Sequence, residues 1–349
     1  MRRISSKLIF FGLSYLIAVM MIKPDLCIST ARDAVELCLD TVIPSLFPFF
    51  VCSNLFVTLG GAKIAGRYLS PIMKPLFGVS GGGSIAFVLG IICGYPIGAA
   101  TAAQLYSSGN CSKIQAERLL SFCNNSGPLF IIGAVGTGML KNTKLGIFLY
   151  IVHLLSSILT GIMFRNYGKE ITYTPLLPAV YEVKKESVFS AVGSSVSKSV
   201  DNILKVCGFV IFFSVFSSAI PQFKGYEFAY SFVEITGGLK AVISEYGTKT
   251  YILPIISFFI AFSGISVMMQ VCSIVLPYNL SVKPYILGKL TQGIISALLT
   301  MAGQMIISFE QPVFGYSQVV CQLNFRGIWV VAVLVIVMFL YVKKSHFVR

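Results

Sequence analysis

The stretch Gly94-Tyr95-Pro96-Ile97-Gly98 interrupts a long apolar tract in which no charged residue lies between positions 74 and 113. A second uncharged tract, between positions 249 and 283, is interrupted by Ser263-Gly264-Ile265-Ser266. Each tract is longer than the about 20 apolar residues that one transmembrane helix needs. The two interruptions therefore predict two places where helices break within a hydrophobic chain.

The composition is typical of an integral membrane protein. Of 349 residues, 56% are hydrophobic and only 11% are charged, and the mean hydropathy is +0.83. A soluble domain has about 25% charged residues, so a chain this apolar could not cover a water-exposed surface. The formal net charge is +14, but the basic residues stand singly between apolar runs, which suits lipid headgroups rather than nucleic acid. We predict a multi-pass protein whose surroundings are the lipid bilayer.

The residues that metal centres and many active sites use are scarce. Nine cysteines form no Cys-x-x-Cys pair, and only two histidines are present, His153 and His346. Neither histidine has a glutamate or histidine partner at helical spacing, so the chain contains no zinc-protease motif. The segment at 80–84 is glycine-rich but lacks the lysine of a phosphate-binding loop. We expect no enzyme activity, no cofactor and no metal site.

The uncharged segments predict an all-α polytopic membrane protein, because backbone groups in lipid must be hydrogen-bonded internally and no alternating strands are present. The two halves resemble each other, since each has a leading helix, an interrupted tract, a helix with polar residues and a final apolar helix. If each tract is a re-entrant hairpin, each half crosses the membrane three times and the second half inserts upside down. This predicts two inverted repeats, each with a re-entrant helical hairpin and a broken helix. Alternatively, each tract forms two short spans, or one span with apolar flanks.

The predicted organisation has four parts. Residues 1–30 form an N-terminal transmembrane helix, residues 31–165 the first repeat, residues 166–195 a polar connecting loop, and residues 196–349 the second repeat with a C-terminal helix. The N-terminal helix resembles a secretory signal, because basic residues precede its apolar run. No small-residue cleavage pattern follows closely, so we predict that the helix is retained.

The sharpest local feature is Asn124-Asn125-Ser126-Gly127-Pro128, where proline ends a helix. Two amides and a hydroxyl then lie beside freed backbone groups. Irregular backbone at membrane depth is tolerated only where it faces protein or a water-filled cavity. We expect Asn124, Asn125 and Ser126 to bind a substrate; the alternative is an interfacial loop between two short helices.

The other interruptions predict backbone sites for an anion, since helix N-termini present unpaired N–H groups and partial positive charge. Simple helix packing is the alternative for the small residues, and interhelical hydrogen bonding is the alternative for the glutamine of the following helix. The predicted positions are Gly94, Tyr95 and Gly98 in the first half, and Ser263, Gly264, Ser266, Gln270 and Gln292 in the second.

Charge placement adds one further candidate. Lys205 is the predicted buried cation, which either pairs with Asp40 or attracts an anionic substrate; the alternative is that its side chain reaches to the membrane interface. Acidic residues are almost absent away from the predicted span ends. A sodium- or proton-coupled pump more commonly buries a carboxylate, so the pattern favours an anionic substrate.

Three motifs, Pro44-Ser45-Leu46-Phe47-Pro48-Phe49, Gly94-Tyr95-Pro96-Ile97-Gly98 and Asn124-Asn125-Ser126-Gly127-Pro128, resemble the sporulation integral membrane protein family of the YlbJ type. Proteins of this family contain a nucleoside-recognition, or gate, domain and are similar to concentrative nucleoside transporters. The resemblance implies a secondary transporter in a bacterial cell membrane, with dipicolinate moved across the outer forespore membrane during sporulation. The implied partner is a small anionic substrate, and a homo-oligomer is compatible with the sequence.

Two other functions remain open from the sequence. One is a non-transporting membrane scaffold for spore envelope or cortex assembly, in which the broken segments bind a partner protein. The other is a nucleoside carrier. The second half matches nucleoside transporters only in layout, because it lacks the Gln-x-x-Glu-type carboxylates with which those carriers bind nucleoside and sodium.

Overall fold

The structure is a computed structural model that describes residues 2–168, 187–247, 249 and 251–306. Within those residues every regular element is a helix and no β-strand occurs, as the sequence predicts. The α-helices are α1 (Arg2–Ile22), α2 (Pro24–Leu37), α3 (Ile43–Thr58), α4 (Gly61–Phe77), α5 (Ser84–Cys93), α6 (Ile97–Ser107), α7 (Lys113–Leu120), α8 (Thr143–Met163), α9 (Val188–Ser218), α10 (Tyr226–Val233), α11 (Ile235–Tyr246), α12 (Ile252–Phe262), α13 (Gly264–Val275) and α14 (Lys283–Ile306).

Short non-α segments connect several of these helices. π-Helical turns occur at Cys38–Val42, between α2 and α3, and at Leu129–Met139, before α8. 3₁₀ turns occur at Gly81–Gly83, Phe164–Asn166 and Leu276–Tyr278. The predicted C-terminal helix and most of the predicted connecting loop lie outside the described residues. α9 begins at Val188, inside the stretch that was predicted to connect the repeats.

Four helical segments are long and apolar enough to cross a membrane: Thr143–Asn166, Val188–Ser218, Ile252–Tyr278 and Lys283–Met305. Two bent pairs raise that number to six if each pair is one span. The pair Phe10–Ile22 and Pro24–Asp40 bends by 104°, and the pair Arg67–Phe77 and Gly81–Cys93 bends by 91°. The described part of the chain therefore has four to six candidate spans, in agreement with a multi-pass membrane protein.

The first interrupted tract folds back on itself. Gly90 of α5 and Gly98 of α6 face each other so closely that a methyl group on Gly90 would lie 3.2 Å from the Gly98 Cα. Residues eight apart in a continuous helix are separated by about 12 Å, so α5 and α6 form a helical hairpin. Its turn is the predicted break, Gly94-Tyr95-Pro96. Whether this hairpin re-enters the membrane stays a prediction.

The second interrupted tract does not fold back, and the prediction of a hairpin there is wrong. α12 and α13 continue as one candidate span despite left-handed backbone at Ser263 (φ 75°) and Gly264 (φ 76°). The two residues break the hydrogen-bond ladder without reversing the chain. This tract is a broken helix.

The fold-back of the second half lies earlier, at Glu234. A methyl group on Gly238 of α11 would lie 2.3 Å from the Cα of Ser231 on α10, so α10 and α11 pack directly against each other. This hairpin was not predicted because its helices are short and contain charged residues, whereas the uncharged tract is longer.

The helices pack in two groups. α2 and α3 pack against α9, while α8 and α12 pack against α14. The second group is held by buried contacts such as the hydrogen bond between the hydroxyls of Ser257 and Ser296, at 2.6 Å. α6 contacts α3 of the first group and also α13, which itself packs against α9 of that group.

Candidate functional site

The hairpin turns and the helix breaks lie next to one another in pairs. A methyl group on Gly94, in the turn of the first hairpin, would lie 2.9 Å from the Gly127 amide nitrogen in the break after α7. A methyl group on Gly264, in the break between α12 and α13, would lie 3.3 Å from the Val233 carbonyl oxygen at the turn of the second hairpin. Each half of the chain therefore places a hairpin turn against a broken helix.

Ser126, in the break after α7, connects the hairpin turn and helix break of the first half to those of the second. Its hydroxyl donates a hydrogen bond to the carbonyl oxygen of Ile260 in α12, at 3.1 Å. Its amide donates to Nε2 of His153 on α8, also at 3.1 Å. A histidine that accepts at Nε2 has its proton at Nδ1 and is neutral. Since both side chains are fully buried, the predicted residue Ser126 lies at the junction of the two halves.

A chain of hydrogen bonds connects α14 to the break after α7. The ammonium of Lys289 donates to the carbonyl oxygen of Asn124 at 2.9 Å and to Oε1 of Gln292 at 2.8 Å. Nε2 of Gln292 donates to Oδ1 of Asn125 at 2.9 Å, and Nδ2 of Asn125 donates to the carbonyl oxygen of Phe122 at 2.9 Å. Lys289, Gln292 and both asparagines are 0% exposed. We call these four residues the central network.

One acceptor of the central network is unsatisfied. Nδ2 of Asn124 donates to the hydroxyl of Tyr285 at 3.2 Å, but its fully buried Oδ1 has no hydrogen-bond partner among the described residues. A buried polar atom without a partner is costly and is commonly found at functional sites. The Asn124 oxygen is therefore a candidate acceptor for a hydrogen-bond donor of a bound molecule.

Lys289 places the amine of a lysine, a group that carries a positive charge when protonated, in the central network. Across the described residues it forms no ion pair, and its two hydrogen-bond acceptors are neutral oxygens. A buried charge without a countercharge is expensive, and within membrane segments such residues usually mark substrate or ion pathways. An anion bound beside Lys289 would supply the missing countercharge.

The expectation that Lys205 is the buried cation is wrong. Its side chain is 39% exposed and forms an ion pair with Asp201, one turn earlier on α9. Asp40, the partner considered for it, lies in the π-helical turn between α2 and α3 and is exposed. An i, i+4 pair on one helix explains Lys205 without a substrate.

Lys289 was not among the predicted site residues, although the sequence contains a signal for it. Polar residues recur at intervals of three or four along α14, which places them on one helix face. All of them are buried, although neighbouring apolar residues such as Leu290 and Ile294 are exposed. The residues of this face are Tyr285, Lys289, Gln292, Ser296 and Thr300.

The remaining predicted residues lie around the central network. Tyr95 packs edge-on against Phe130 with ring centroids 6.4 Å apart, at the first hairpin turn. Gly98 lies against the carbonyl of Cys123, just before the asparagines. Ser266 and Gln270 are buried on α13, which packs against α6, α9 and α10, rather than in the hydrogen-bonded network.

Two acidic residues in the second hairpin correct the expectation that carboxylates are almost absent away from the span ends. Glu234 forms the hairpin turn and caps α11, accepting hydrogen bonds from the amides of Thr236 (2.9 Å) and Gly237 (2.6 Å). Burial raises the pKa of the Glu234 carboxyl, and these two hydrogen bonds act in the opposite direction. Glu227 on α10 is 6% exposed, and its Oε2 has no hydrogen-bond partner in the part of the chain that the structure describes.

A surface groove of about 850 Å³ lies between α10, α12 and α14, separate from the central network. Aromatic and aliphatic side chains dominate it, among them Phe232, Phe258 and Met301. It offers no charged group to an anion, so it does not compete with the central network as the binding site for one.

Comparisons with known proteins identify the family of the chain. Residues 39–164 match the family model described as Gate, nucleoside recognition. The chain is 30% identical to the sporulation integral membrane protein YlbJ of Bacillus subtilis (strain 168) over 337 residues, which cover 86% of this chain and 83% of the relative. No solved structure matches. The matched family region contains the first hairpin, both asparagines and His153, whereas Lys289 lies beyond it.

Proposed function

Because the chain belongs to the family of the sporulation integral membrane protein YlbJ, we propose that it is a membrane carrier whose central network binds a small carboxylate. Dipicolinate is the substrate that the family resemblance implies, and the outer forespore membrane is the implied location. The single observation behind the choice of an anion is Lys289, a fully buried ammonium that forms no ion pair with the described residues.

Each residue of the network has a role in this proposal. The ammonium of Lys289 exchanges one of its neutral acceptors for a substrate carboxylate, which converts a hydrogen bond into a stronger charge-assisted one. The side-chain amides of Asn124 and Gln292 donate to the other substrate oxygens. Oδ1 of Asn124 accepts from a donor of the substrate or its bound water. The amides of broken backbone near Gly94 and Ser263 add partial positive charge.

The arrangement of helices supports two inverted repeats around that site. In each half a helical hairpin, α5–α6 or α10–α11, lies against a broken helix, formed by α7 and the π-helical segment or by α12 and α13. A long helix, α8 or α14, follows in each case. Binding sites built from discontinuous helices at a repeat interface are typical of secondary transporters. Because the network is fully buried, a substrate reaches it only after a conformational change.

Uptake by the full-length protein in liposomes tests the proposal. Labelled dipicolinate should accumulate in vesicles with the wild-type protein, and Lys289→Met should reduce uptake at least tenfold because the carboxylate loses its countercharge. Lys283→Met is the matched control: it removes an exposed lysine from the same helix and should leave uptake unchanged. Size-exclusion profiles and thermal unfolding establish that both variants are folded. Equal uptake by folded Lys289→Met and wild type would refute the assigned site.

The match to a nucleoside-recognition family model favours a second candidate, a nucleoside carrier. The amides of Asn124, Asn125 and Gln292 could pair with the edge of a nucleobase, as amide side chains do in other proteins. Competition separates the two: inhibition of uptake by dicarboxylates but not by uridine or adenosine supports the anion carrier. Transport of uridine that is insensitive to Lys289→Met supports the nucleoside carrier. Absence of flux for both classes supports the scaffold function instead.

A further inference from the structure

A second buried polar cluster lies at the interface of α3 with α6 and α9, apart from the central network. The hydroxyls of Ser53 and Thr101 are 2.9 Å apart. Nδ2 of Asn54 donates to the hydroxyl of Ser199 at 3.1 Å, and Nε2 of Gln104 donates to the carbonyl oxygen of Asn54 at 3.2 Å. We call this cluster the α6 seam; its residues are Ser53, Asn54, Thr101, Gln104, Ser195 and Ser199.

Two polar atoms of the α6 seam are unsatisfied. Among the described residues, Oε1 of Gln104 and the hydroxyl of Ser195, a residue that is only 1% exposed, have no hydrogen-bond partner. Polar side chains do join membrane helices by hydrogen bonds, and that role accounts for the Ser53–Thr101 and Asn54–Ser199 contacts. It does not account for buried groups left without partners, which are costly where no water is present. These two atoms need partners that this closed arrangement does not provide.

The α6 seam lies between the central network and the surface. α6 begins at Ile97, beside the first hairpin turn that lies against the break after α7. Thr101 and Gln104 follow, each about one turn further along α6. The helix ends at Ser107, and both Ser107 and the next residue, Ser108, are exposed. Ser53 and Asn54 of α3 face this row, and Ser199 of α9 accepts a hydrogen bond from Asn54. The polar groups thus run from Thr101, about one turn after the hairpin turn, to the exposed end of α6.

Granted the carrier function proposed above, we infer that the α6 seam is the closed permeation route for the carboxylate. The route opens when α3 separates from α6 and α9. Hydroxyls and side-chain amides along it then donate hydrogen bonds to the passing carboxylate and its water, and the unsatisfied atoms of Gln104 and Ser195 gain partners. In the closed state the same groups hydrogen-bond to each other, which seals the route.

A reversible crosslink tests the movement. Ser53→Cys with Thr101→Cys places two thiols where the hydroxyls are 2.9 Å apart, close enough for a disulfide after small side-chain rotations. Oxidation should reduce uptake at least tenfold, and reductant should restore it. The matched control is Ser257→Cys with Ser296→Cys, which crosslinks α12 to α14 at a similar separation without touching the seam. Mass spectrometry confirms each disulfide, and the parent chain under the same oxidant accounts for its native cysteines.

Two results of the crosslinking experiment decide whether the α6 seam is the route. Loss of uptake in the α6–α3 crosslink, reversed by reductant and absent from the control, supports the route. Undiminished uptake with a quantitative α6–α3 disulfide overturns it.

A labelling experiment tests the seam independently of any substrate. Ser195→Cys is buried in the closed state, but it should react with a membrane-impermeant maleimide in liposomes as the seam opens. Thr160→Cys on α8 is the control, because Thr160 is equally buried and its hydroxyl is hydrogen-bonded within its own helix. Peptide-level mass spectrometry separates these sites from the native cysteines. If the cysteines at both positions are equally protected from the maleimide, the route is overturned even if dipicolinate is transported. If Ser195→Cys is labelled but dipicolinate is not taken up, the route is supported and that substrate is rejected.

Discussion

Each of the two broken helices lies against a hairpin turn, but the side chains at the two breaks differ. The break after α7 contains Asn124, Asn125 and Ser126, and receives the ammonium of Lys289 from the other half of the chain. The break between α12 and α13 contains only Ser263 and Gly264, and lies beside the hairpin turn formed by Glu234. One break is therefore polar with a buried cation, and the other is small with a neighbouring carboxylate. Repeated architecture brings the elements together, and the side chains then make the two halves chemically different.

The largest expected effect concerns the close packing of the first hairpin against the break after α7. Gly98→Val should prevent folding, because even a Cβ at this position would lie 2.0 Å from the carbonyl oxygen of Cys123. The yield of monodisperse protein in detergent should collapse, with a loss of stability of at least about 4 kcal/mol.

Gly133→Val is the matched control for that substitution. It lies in the neighbouring π-helical segment, where an added Cβ meets no atom within 4 Å. A normal yield for Gly98→Val would show that the first hairpin does not pack on the break as described.

The positive charge proposed for Lys289, beside the break after α7, can be neutralised by a substitution that hardly changes side-chain shape. Gln292→Glu places a carboxylate where Oε1 of Gln292 accepts from Lys289 at 2.8 Å, so the ammonium gains an internal countercharge. We expect dipicolinate uptake to fall about tenfold, because the substrate must now compete with a fixed anion. The measurement is initial uptake over a range of substrate concentrations. Unchanged affinity would mean that Lys289 does not contact the substrate.

The second break should tolerate substitution better than the first. At Gly264 an added Cβ lies 3.3 Å from the nearest atom, but φ is 76°, a conformation that costs an L-residue about 1–2 kcal/mol. Gly264→Ala should therefore lower the unfolding temperature by a few degrees and leave the protein folded.

Gly208→Ala on α9 is its control. An added Cβ there meets no atom within 4 Å, and alanine favours a helix over glycine by about 1 kcal/mol, so the unfolding temperature should stay equal or rise. If no folded Gly264→Ala protein were obtained, both breaks would be equally intolerant of an added side chain. That result would contradict the expected difference between them.

The smallest expected effect is the pH dependence that Glu234 confers. Since burial raises its pKa in the folded state, the contribution of Glu234 to stability is present at pH below the ordinary glutamate range and is lost as pH rises through the raised value. Glu234→Gln keeps an oxygen that can cap α11 and should flatten this dependence. Thermal unfolding of both proteins across pH 4 to 8, about the range in which carboxyl groups with raised pKa titrate, measures it. Parallel curves would indicate an ordinary, exposed carboxyl.

The sequence analysis identified the central break but not its charged partner. Asn124, Asn125, Ser126 and Gln292 were predicted from a proline-ended helix and from polar residues in an apolar run, and the structure brings all four to one place. Lys289 was missed because a single lysine near other charges looks like the end of a span. The second hairpin was misplaced for a related reason: an uncharged tract indicates burial in lipid or protein, but not where the chain reverses.

Amino-acid composition and hydropathy determined that this is an all-helical, multi-pass membrane protein, because unpaired backbone groups and frequent charges are incompatible with a bilayer. Local residue chemistry also determined where helices must break, at proline and at paired small residues. Only the tertiary structure decided which segments fold back, which breaks meet, and which lysine is buried. The meeting of the two breaks and the burial of this lysine depend on contacts between residues more than 100 positions apart, as between Lys289 and Asn124, and no local pattern specifies such contacts.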